Sequence, residues 1–512
     1  MNAYMAAPVP HTPVLKTGST CWRMARADRL RVIIDAVDYF RTLRSALLTA
    51  RHSVLIVGWD FDTRIQLDPD DDDSVMPNQV GALLNQLADS NRQVEVHVLR
   101  WDLQMLKTPL RGATPLVVLD WITNDRIHFK LDSHHPIDAC HHQKLVVIDD
   151  ALAFCGGIDI TAGRWDTPQH LDDEPRRKGP GGEDYPPWHD ATVAVDGDAA
   201  RALGDLARAR WHAATGELPA LPPAGLQRWP ETLEPDFRDV EVGIARTLPA
   251  FDDDPGAFEI GALYLAAIAS AKHAIYLESQ YFSAPVIAEA VAARLREADG
   301  PDVVIVNPLS ADGWLEAKLM DSARAILLER LHEADRHGRL RFFTPVAKEG
   351  TDIYVHAKIL IIDDRLLRVG SSNINKRSLD TDTECDLAIE ATPGDAETRA
   401  GIHRIRDALL TEHLGLSHEE WAAALAAAGG RLVPAIDAVR RPAGKTLLPY
   451  SPAPLDPVEH ALAETQVASL GPEGFALVLA TRLAPKLGRW GLVVAAAAGV
   501  AAAAFVVRKR PR

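Results

Sequence analysis

The chain has 512 residues, 47% of them apolar and 25% charged, a length and balance that suit a folded protein of two domains or a duplicated pair rather than a disordered or single-core chain. A formal net charge of −16 lowers the case for a protein that wraps nucleic acid or adheres broadly to anionic lipid, since both need a basic face. The four cysteines include no C-x₂-C pair, which speaks against a structural zinc site or a disulfide framework, and Cys140 and Cys155 read as buried small apolar residues.

In chain order, residues 1–20 lack a basic segment followed by an apolar run, so a disordered N-terminus without a secretory signal is expected. Residues 31–51 carry apolar side chains at helical spacing, from Val32 and Ile33 through Phe40 to Leu48. Short apolar runs at Val54–Val57 and Val94–Leu99 suit buried strands. The acidic stretch 68–73 reads as a solvated loop. Residues 167–187 are rich in Pro, Gly and charge and form a long loop placed where a lid would act. Five prolines in 216–238 mark a linker. A helix ending near Ala271, strands at Ile275–Leu277 and Val303–Val306 and a helix over 313–337 follow, then a second linker over 428–455. From Trp490 to Val507 no residue is charged, and Arg508, Lys509 and Arg510 follow, which meets the lower length limit for a membrane-spanning helix.

An internal repeat organises these elements. A-R-H-S-V-L-I-V-G-W-D-F (50–61) resembles A-K-H-A-I-Y-L-E-S-Q-Y-F (271–282), and two H-x-K-x₄-D motifs recur at a similar offset: His142/Lys144/Asp149 and His356/Lys358/Asp363, 214 residues apart. Each motif runs into a buried-strand sequence, Leu145–Ile148 or Ile359–Ile362. On an extended strand the spacing of two places His and Lys on one face. A small-residue turn follows each, Gly156-Gly157 and Gly370-Ser371-Ser372.

Two histidines and two lysines suit phosphodiester displacement. One neutral imidazole attacks phosphorus and forms a phosphohistidine, while the other protonates the leaving alcohol and then activates the acceptor. Lys144 and Lys358 would offset charge on the non-bridging oxygens, and Ser371 and Asn373 can donate further hydrogen bonds. This chemistry calls for no metal or other cofactor.

At these residues the chain resembles the phospholipase D superfamily, from about residue 20 to about 415. The lipid-acting branch is the nearest: H-H-Q-K-L-V-V-I-D, G-G-I-D-I-T and G-R-W-D (163–166), I-Y-L-E-S-Q-Y-F (275–282) and G-S-S-N-I-N-K-R-S (370–378) followed by Glu384 are similar to its segments. The resemblance implies an α/β fold of two tandem similar domains, 21–225 and 226–430. Each is a mixed or parallel sheet flanked by helices, with the site between them. Residues 431–486 would be linker and tail, and 487–508 a C-terminal apolar helix anchoring the protein to a membrane, bacterial inner membrane being the expected location. It implies His142 as nucleophile, His356 as acid and base, Glu384 as the group orienting a histidine with Asp166 as its counterpart, and a more structural role for Asp149 and Asp363. Asp159 stands where the second motif has Asn373, which makes the halves non-equivalent. The expected catalytic set is thus His142, Lys144, Asp149, His356, Lys358, Asp363 and Glu384, with Ser371, Asn373, Asp159 and Asp166 on the substrate.

The function these residues favour is a phospholipase D-type phosphodiesterase or transphosphatidylase acting on glycerophospholipids, with water or an alcohol as acceptor. A cardiolipin synthase using phosphatidylglycerol would share the chemistry. A nuclease of the same superfamily is disfavoured by the charge. A membrane-tethered binding protein with a dead site is disfavoured because both histidines and both lysines are present.

Overall fold

The computed structural model describes residues 12–71, 76–102, 124–136, 139–311, 314–452, 454–455, 460 and 463. In the first half the described strands are β1 (Arg23–Ile34), β2 (Ser53–Gly58), β3 (Glu95–Trp101), β4 (Ile127–Asp132), β5 (Leu145–Ile148), β6 (Leu152–Gly156), β7 (Trp188–His189) and β8 (Ala191–Asp196). Its helices are α1 (Ala36–Leu47), α2 (Val80–Ser90) and α3 (Gly197–Thr215). The second half supplies β9 (Phe237–Leu248), β10 (Ala257–Phe258), β11 (Ala274–Glu278), β12 (Asp302–Val306), β13 (Leu340–Val346), β14 (Tyr354–Val355), β15 (Ile359–Ile362), β16 (Leu366–Gly370), β17 (Glu384–Glu390) and β18 (Thr446–Pro449). With these come α4 (Glu259–Ser270), α5 (Pro285–Arg296), α6 (Trp314–Ala334), α7 (Lys376–Asp380), α8 (Ala396–Leu414), α9 (His418–Ala427) and α10 (Leu432–Val439).

The halves share one mixed sheet, in the order β18-β13-β12-β11-β15-β16-β17-β9-β1-β8-β6-β5-β2-β3-β4, with β10 paired to β9. Read outward from the β1/β9 seam, the two wings repeat the same order, with β18 added to one edge. The seam is antiparallel and pairs Arg23 with Ile244 and Leu30 with Phe237. Arg23 and Phe237 are 214 residues apart, as are Leu30 and Ile244, so the seam carries the same offset as the two motifs. The duplicated units therefore join edge to edge and neither ends in an exposed strand at the seam.

Alternation along the strands builds three cores. Leu55, Val57, Leu145, Val147, Ile359 and Ile361 face one shared core with Leu203, Trp211, Ile402 and Leu409 from α3 and α8. Val54, Ile56, Val146 and Ile148 face an outer core with Phe40, Leu43 and Leu84 from α1 and α2. Leu360 and Ile362 face its counterpart, with Leu263, Ile287 and Leu327 from α4, α5 and α6. Strands covered on both faces must be apolar throughout, which explains the unbroken L-V-V-I and I-L-I-I runs.

Several expectations need correction. The helical stripe read over 31–51 is two elements: Val32 and Ile33 end the long strand β1, and α1 starts at Ala36. β1 needs its alternate residues for the seam, and pairing there outweighs helical periodicity. The expected disordered N-terminus does not hold for its described part. Val14 and Leu15 are buried in the second half's outer core, and their N–H groups donate to Glu390 at 2.8 and 3.0 Å. Residues 428–455 are not simply a linker either, because α10 packs on the shared core and β18 pairs with β13. The loop 167–187 is pinned: buried Arg177 donates to Asp166 and to the carbonyls of Leu171, Asp172 and Tyr185, and Asp172 accepts from Glu349 and Thr351 N–H in the other half. The apolar stretch 490–507 lies outside the described residues, and among the described residues no helix is long and apolar enough to cross a membrane.

Candidate active site

The backbone brings the motifs together by crossed pairing. His142 N–H donates to Thr383 O at 3.0 Å, and Thr383 N–H donates to Cys140 O at 3.0 Å. In mirror fashion His356 N–H donates to His189 O at 2.7 Å, while β14 pairs in parallel with β7, Tyr354 on Trp188 and Val355 on His189. Each motif thus enters its own strand only after touching the other half, at Thr383 just before β17 or at His189 in β7. That is why the regular strand begins one residue after each lysine, at Leu145 and Ile359, rather than at the histidine.

This crossing hands each histidine a carboxylate from the other half. His142 Nδ1 lies 2.9 and 3.0 Å from the two oxygens of Glu384, 242 residues away. His356 Nδ1 lies 2.6 Å from Asp190 Oδ2, 166 residues away. Both carboxylates are fully buried. An Nδ1–H donated to a carboxylate leaves Nε2 with the lone pair, the form needed to attack phosphorus or to take up a proton. Burial, then the Lys144 and Lys358 charges, push His142 well below the usual imidazole range. Burial, then Lys358 and Arg164, do the same to His356. Burial raises the Glu384 carboxyl to about 7 and raises Asp190 as well.

Asp190 was not singled out from the sequence; Asp166 was placed in its role, and that assignment is corrected. Asp166 is buried and already accepts from Arg177, His170, Thr167 N–H and Trp188 N–H. A signal for Asp190 exists: H-D-A-T-V-A-V-D (189–196) aligns on T-E-C-D-L-A-I-E (383–390). The offset there is 194 rather than 214, because the long loop 167–187 lies before it in the first half only. The small-residue turns differ to match. Ser371 Oγ donates to Glu384, whereas a Cβ on Gly157 would sit 2.1 Å from Asp190 Oδ1. Glycine leaves room for the shorter acid's carboxylate. Ser371 is therefore a positioning residue for Glu384 rather than a substrate contact.

The lysines are also unequal. Lys144 Nζ is 3.1 Å from Asp159 Oδ2 and donates to His142 O at 3.0 Å, while Asp159 Oδ1 accepts from Trp59 N–H at 3.0 Å. Asp159 is turned to the lysine and holds it; it is not an oxyanion donor. Asn373 in the same position of the second half donates to Gln280 Oε1 at 3.4 Å. Burial lowers Lys358 to about 7, with Asp190 opposing the drop. Arg164, unassigned from the sequence, stacks on Trp188 at 4.2 Å, and Trp188 packs 5.1 Å from the His356 ring.

The motif aspartates do not reach this chemistry. Asp149 accepts from the N–H groups of Arg51, His52 and Ser53 at 2.8–2.9 Å and pairs with Arg228 at 2.7 Å. Asp363 accepts from Lys272, His273 and Ala274 N–H at 2.7–2.9 Å. The repeated segments at 50–53 and 271–274 are thus the backbone cradles of the two motif aspartates, and listing these aspartates as catalytic is corrected. Three charge-assisted bonds support an expected loss of about 3 kcal/mol for Asp363→Ala. Chemical denaturation would read it as a lower midpoint, with kcat of the folded fraction within about threefold of wild type.

Residues 46–224 match the family model described as phospholipase D, and residues 264–404 match the one described as cardiolipin synthase, PLD-like domain. Phospholipase D1 of Schizosaccharomyces pombe is 25% identical over 488 residues, covering 75% of this chain and 35% of its own length. Phospholipase D alpha 4 of Arabidopsis thaliana is 25% identical over 500 residues, covering 75% and 64%. Phospholipase D A of Dictyostelium discoideum is 27% identical over 466 residues, covering 76% and 36%. The chain thus spans from about a third to just under two thirds of these relatives. The crystal structure of phosphatidylserine synthase from Haemophilus influenzae Rd KW20 shares the fold, with a TM-score of 0.52 at 13% identity over 76% of this chain and 88% of that one. Two matching family models, a seam that repeats the motif offset, and two histidines each held by the other half's carboxylate place this chain in the phospholipase D superfamily.

Proposed function

We propose that the chain is a phosphodiesterase and phosphatidyltransferase acting on glycerophospholipids through a phosphohistidine intermediate. The observation that carries this is the pair of Nδ1-anchored histidines, which present two Nε2 atoms beside two lysines. His142 attacks phosphorus and its ring becomes cationic, and Glu384 stabilises that charge. His142 is the more accessible of the two, with 14% side-chain exposure against 7% for His356, as a nucleophile that must reach phosphorus requires. His356 protonates the leaving alcohol and then activates water or an alcohol. In the free enzyme burial, reinforced by the surrounding cations, holds it below the usual imidazole range. The anionic phosphodiester offsets those cations, so substrate binding favours the protonated acid. The apolar stretch 490–507 would supply membrane contact.

The test is incubation of full-length protein in detergent with phosphatidylcholine, and separately with phosphatidylglycerol, with and without ethanol, read by mass spectrometry. Phosphatidic acid, and phosphatidylethanol when ethanol is present, are the expected products. Cardiolipin from phosphatidylglycerol alone would move the substrate assignment to the second reading, which the cardiolipin synthase-type match of 264–404 favours. No lipid product, with cleavage of DNA instead, would falsify the lipid reading.

A further inference from the structure

Behind Asp190 lies a second constellation that the reaction does not use. Asp35 sits between β1 and α1, His170 in the long loop, His189 in β7 and Glu412 on α8 of the other half. One donor atom from each gathers within 4.8 Å of all the others. His189 Nδ1 is 2.8 Å from Glu412 Oε1 and 3.3 Å from Asp35 Oδ1. His170 Nε2 is 3.1 Å from Glu412 Oε1 and 3.5 Å from Asp35 Oδ2. A tetrahedral site with metal–ligand bonds of about 2.0–2.1 Å has edges of about 3.3 Å, so these separations bracket its size.

Two further observations point to a ligand. Asp35 Oδ2 and His189 Nδ1 belong to fully buried side chains, yet neither has an aligned hydrogen-bond partner among the described residues. Their contacts to Glu412 and His170 are ion-pair approaches without hydrogen-bond alignment, and buried polar atoms so placed gain from a ligand that satisfies them. In addition, both histidines turn one ring nitrogen to the centre and give the other to a carboxylate outside it. His170 Nδ1 goes to Asp166 at 3.0 Å, and His189 Nε2 goes to Glu278 at 2.8 Å. That is the orientation metal-binding histidines take when an outer carboxylate fixes their tautomer.

We propose that Asp35, His170, His189 and Glu412 bind one divalent cation of the zinc class, which clamps α8 of the second half to the first half. Two imidazole nitrogens with two carboxylate oxygens suit zinc over magnesium or calcium, which prefer all-oxygen shells. Two anionic carboxylates balance the 2+ charge. Lys445, whose Nζ donates to Pro168 O, is the nearby fixed cation, and His413 bonds Glu278 on the far side at 3.1 Å. Entry is open at Glu412, which lines a surface cavity of about 430 Å³ with Pro168, Ile34 and Asp38. The four ligands lie at positions 35, 170, 189 and 412, so no short sequence spacing announces them. The clamp also bears on catalysis by position. Asp35 N–H donates to Asp190 O at 2.8 Å, and His189 O accepts from His356 N–H.

The experiment strips full-length protein with a strong chelator, adds zinc chloride, desalts it and counts metal by mass spectrometry. A parallel cobalt(II) sample is read for the visible bands of a tetrahedral ion. About one equivalent per chain is expected, with tetrahedral cobalt bands and a Tm rise of roughly 5 °C at saturating zinc. Glu412→Gln preserves side-chain volume at the most solvated ligand and His170→Gln removes a nitrogen donor; both should lose the equivalent and the Tm rise. His142→Ala should keep them, which separates this site from the catalytic histidines. Wild-type protein retaining less than about a tenth of an equivalent would overturn the proposal. So would undiminished zinc in Glu412→Gln and His170→Gln. Both readouts are independent of activity on any lipid.

Discussion

His142→Ala is expected to abolish both the burst and the turnover of a p-nitrophenyl phosphodiester, a loss of roughly 10⁴-fold or more, because in the proposed mechanism His142 is the group that forms the phosphoenzyme. His356→Ala behaves differently on the same substrate. p-Nitrophenolate leaves near neutral pH without a proton, so the first step survives, and the acylation-like burst of phenolate persists while release of the phosphoryl group slows. With a choline or other alkoxide leaving group the same variant loses roughly 10²–10⁴-fold, the usual worth of a positioned general acid. Rapid-quench kinetics with both substrates, and mass spectrometry of the trapped enzyme, read the difference. A phosphoryl adduct on His356 rather than His142 would reverse the two roles while leaving the two-histidine mechanism intact.

The second large effect concerns Glu384. Its carboxyl is raised to about 7 from 4.5, chiefly by burial, so its charged form exists mainly above neutral pH. The phosphohistidine step puts positive charge on the His142 ring, and only the carboxylate stabilises it. Activity is therefore expected to fall on the acid side with a midpoint near pH 7. Glu384→Gln should remove that limb and lower kcat by about 10⁴-fold, as loss of the orienting acid does in comparable triads. Stability should move the opposite way. A carboxyl whose pKa is raised on folding contributes stability that is present below about 4.5 and is lost as pH rises through about 7. Glutamine mimics the protonated acid at every pH. Glu384→Gln should accordingly unfold later than wild type at pH 8.5, by up to about 3 kcal/mol, and the gap should close towards pH 5. Equal stability at both pH values would show that Glu384 ionises normally.

Much of the site was legible because its chemistry is local. The two H-x-K-x₄-D motifs, the L-V-V-I and I-L-I-I strands that follow them, and the Asp159/Asn373 difference each lie within a few residues of one another. The roles of the polar residues were less legible. Asp149 and Asp363 read as site residues by motif membership, yet their oxygens are spent on the N–H groups of residues about 90–100 positions earlier. Asp159 read as a phosphate contact, but the Lys144 ammonium claims it. In each case the decision rests on which buried hydrogen-bonding group lacks a partner, and that is a property of the packed molecule.

By itself the sequence determined the duplication, the two H-x-K-x₄-D motifs with their histidines and lysines, and the doubly buried strands that follow them. Those features are encoded by short-range spacing and by apolar alternation of period two. Only the tertiary structure decided that the two copies share one sheet through an antiparallel β1/β9 seam, and that each histidine takes its carboxylate from the opposite copy. Asp190, Arg164 and the Asp35/His170/His189/Glu412 cluster belong to that second class. Their partners are separated by up to several hundred residues, and nothing in a local pattern says which of many buried carboxylates will meet which imidazole until the seam sets the register.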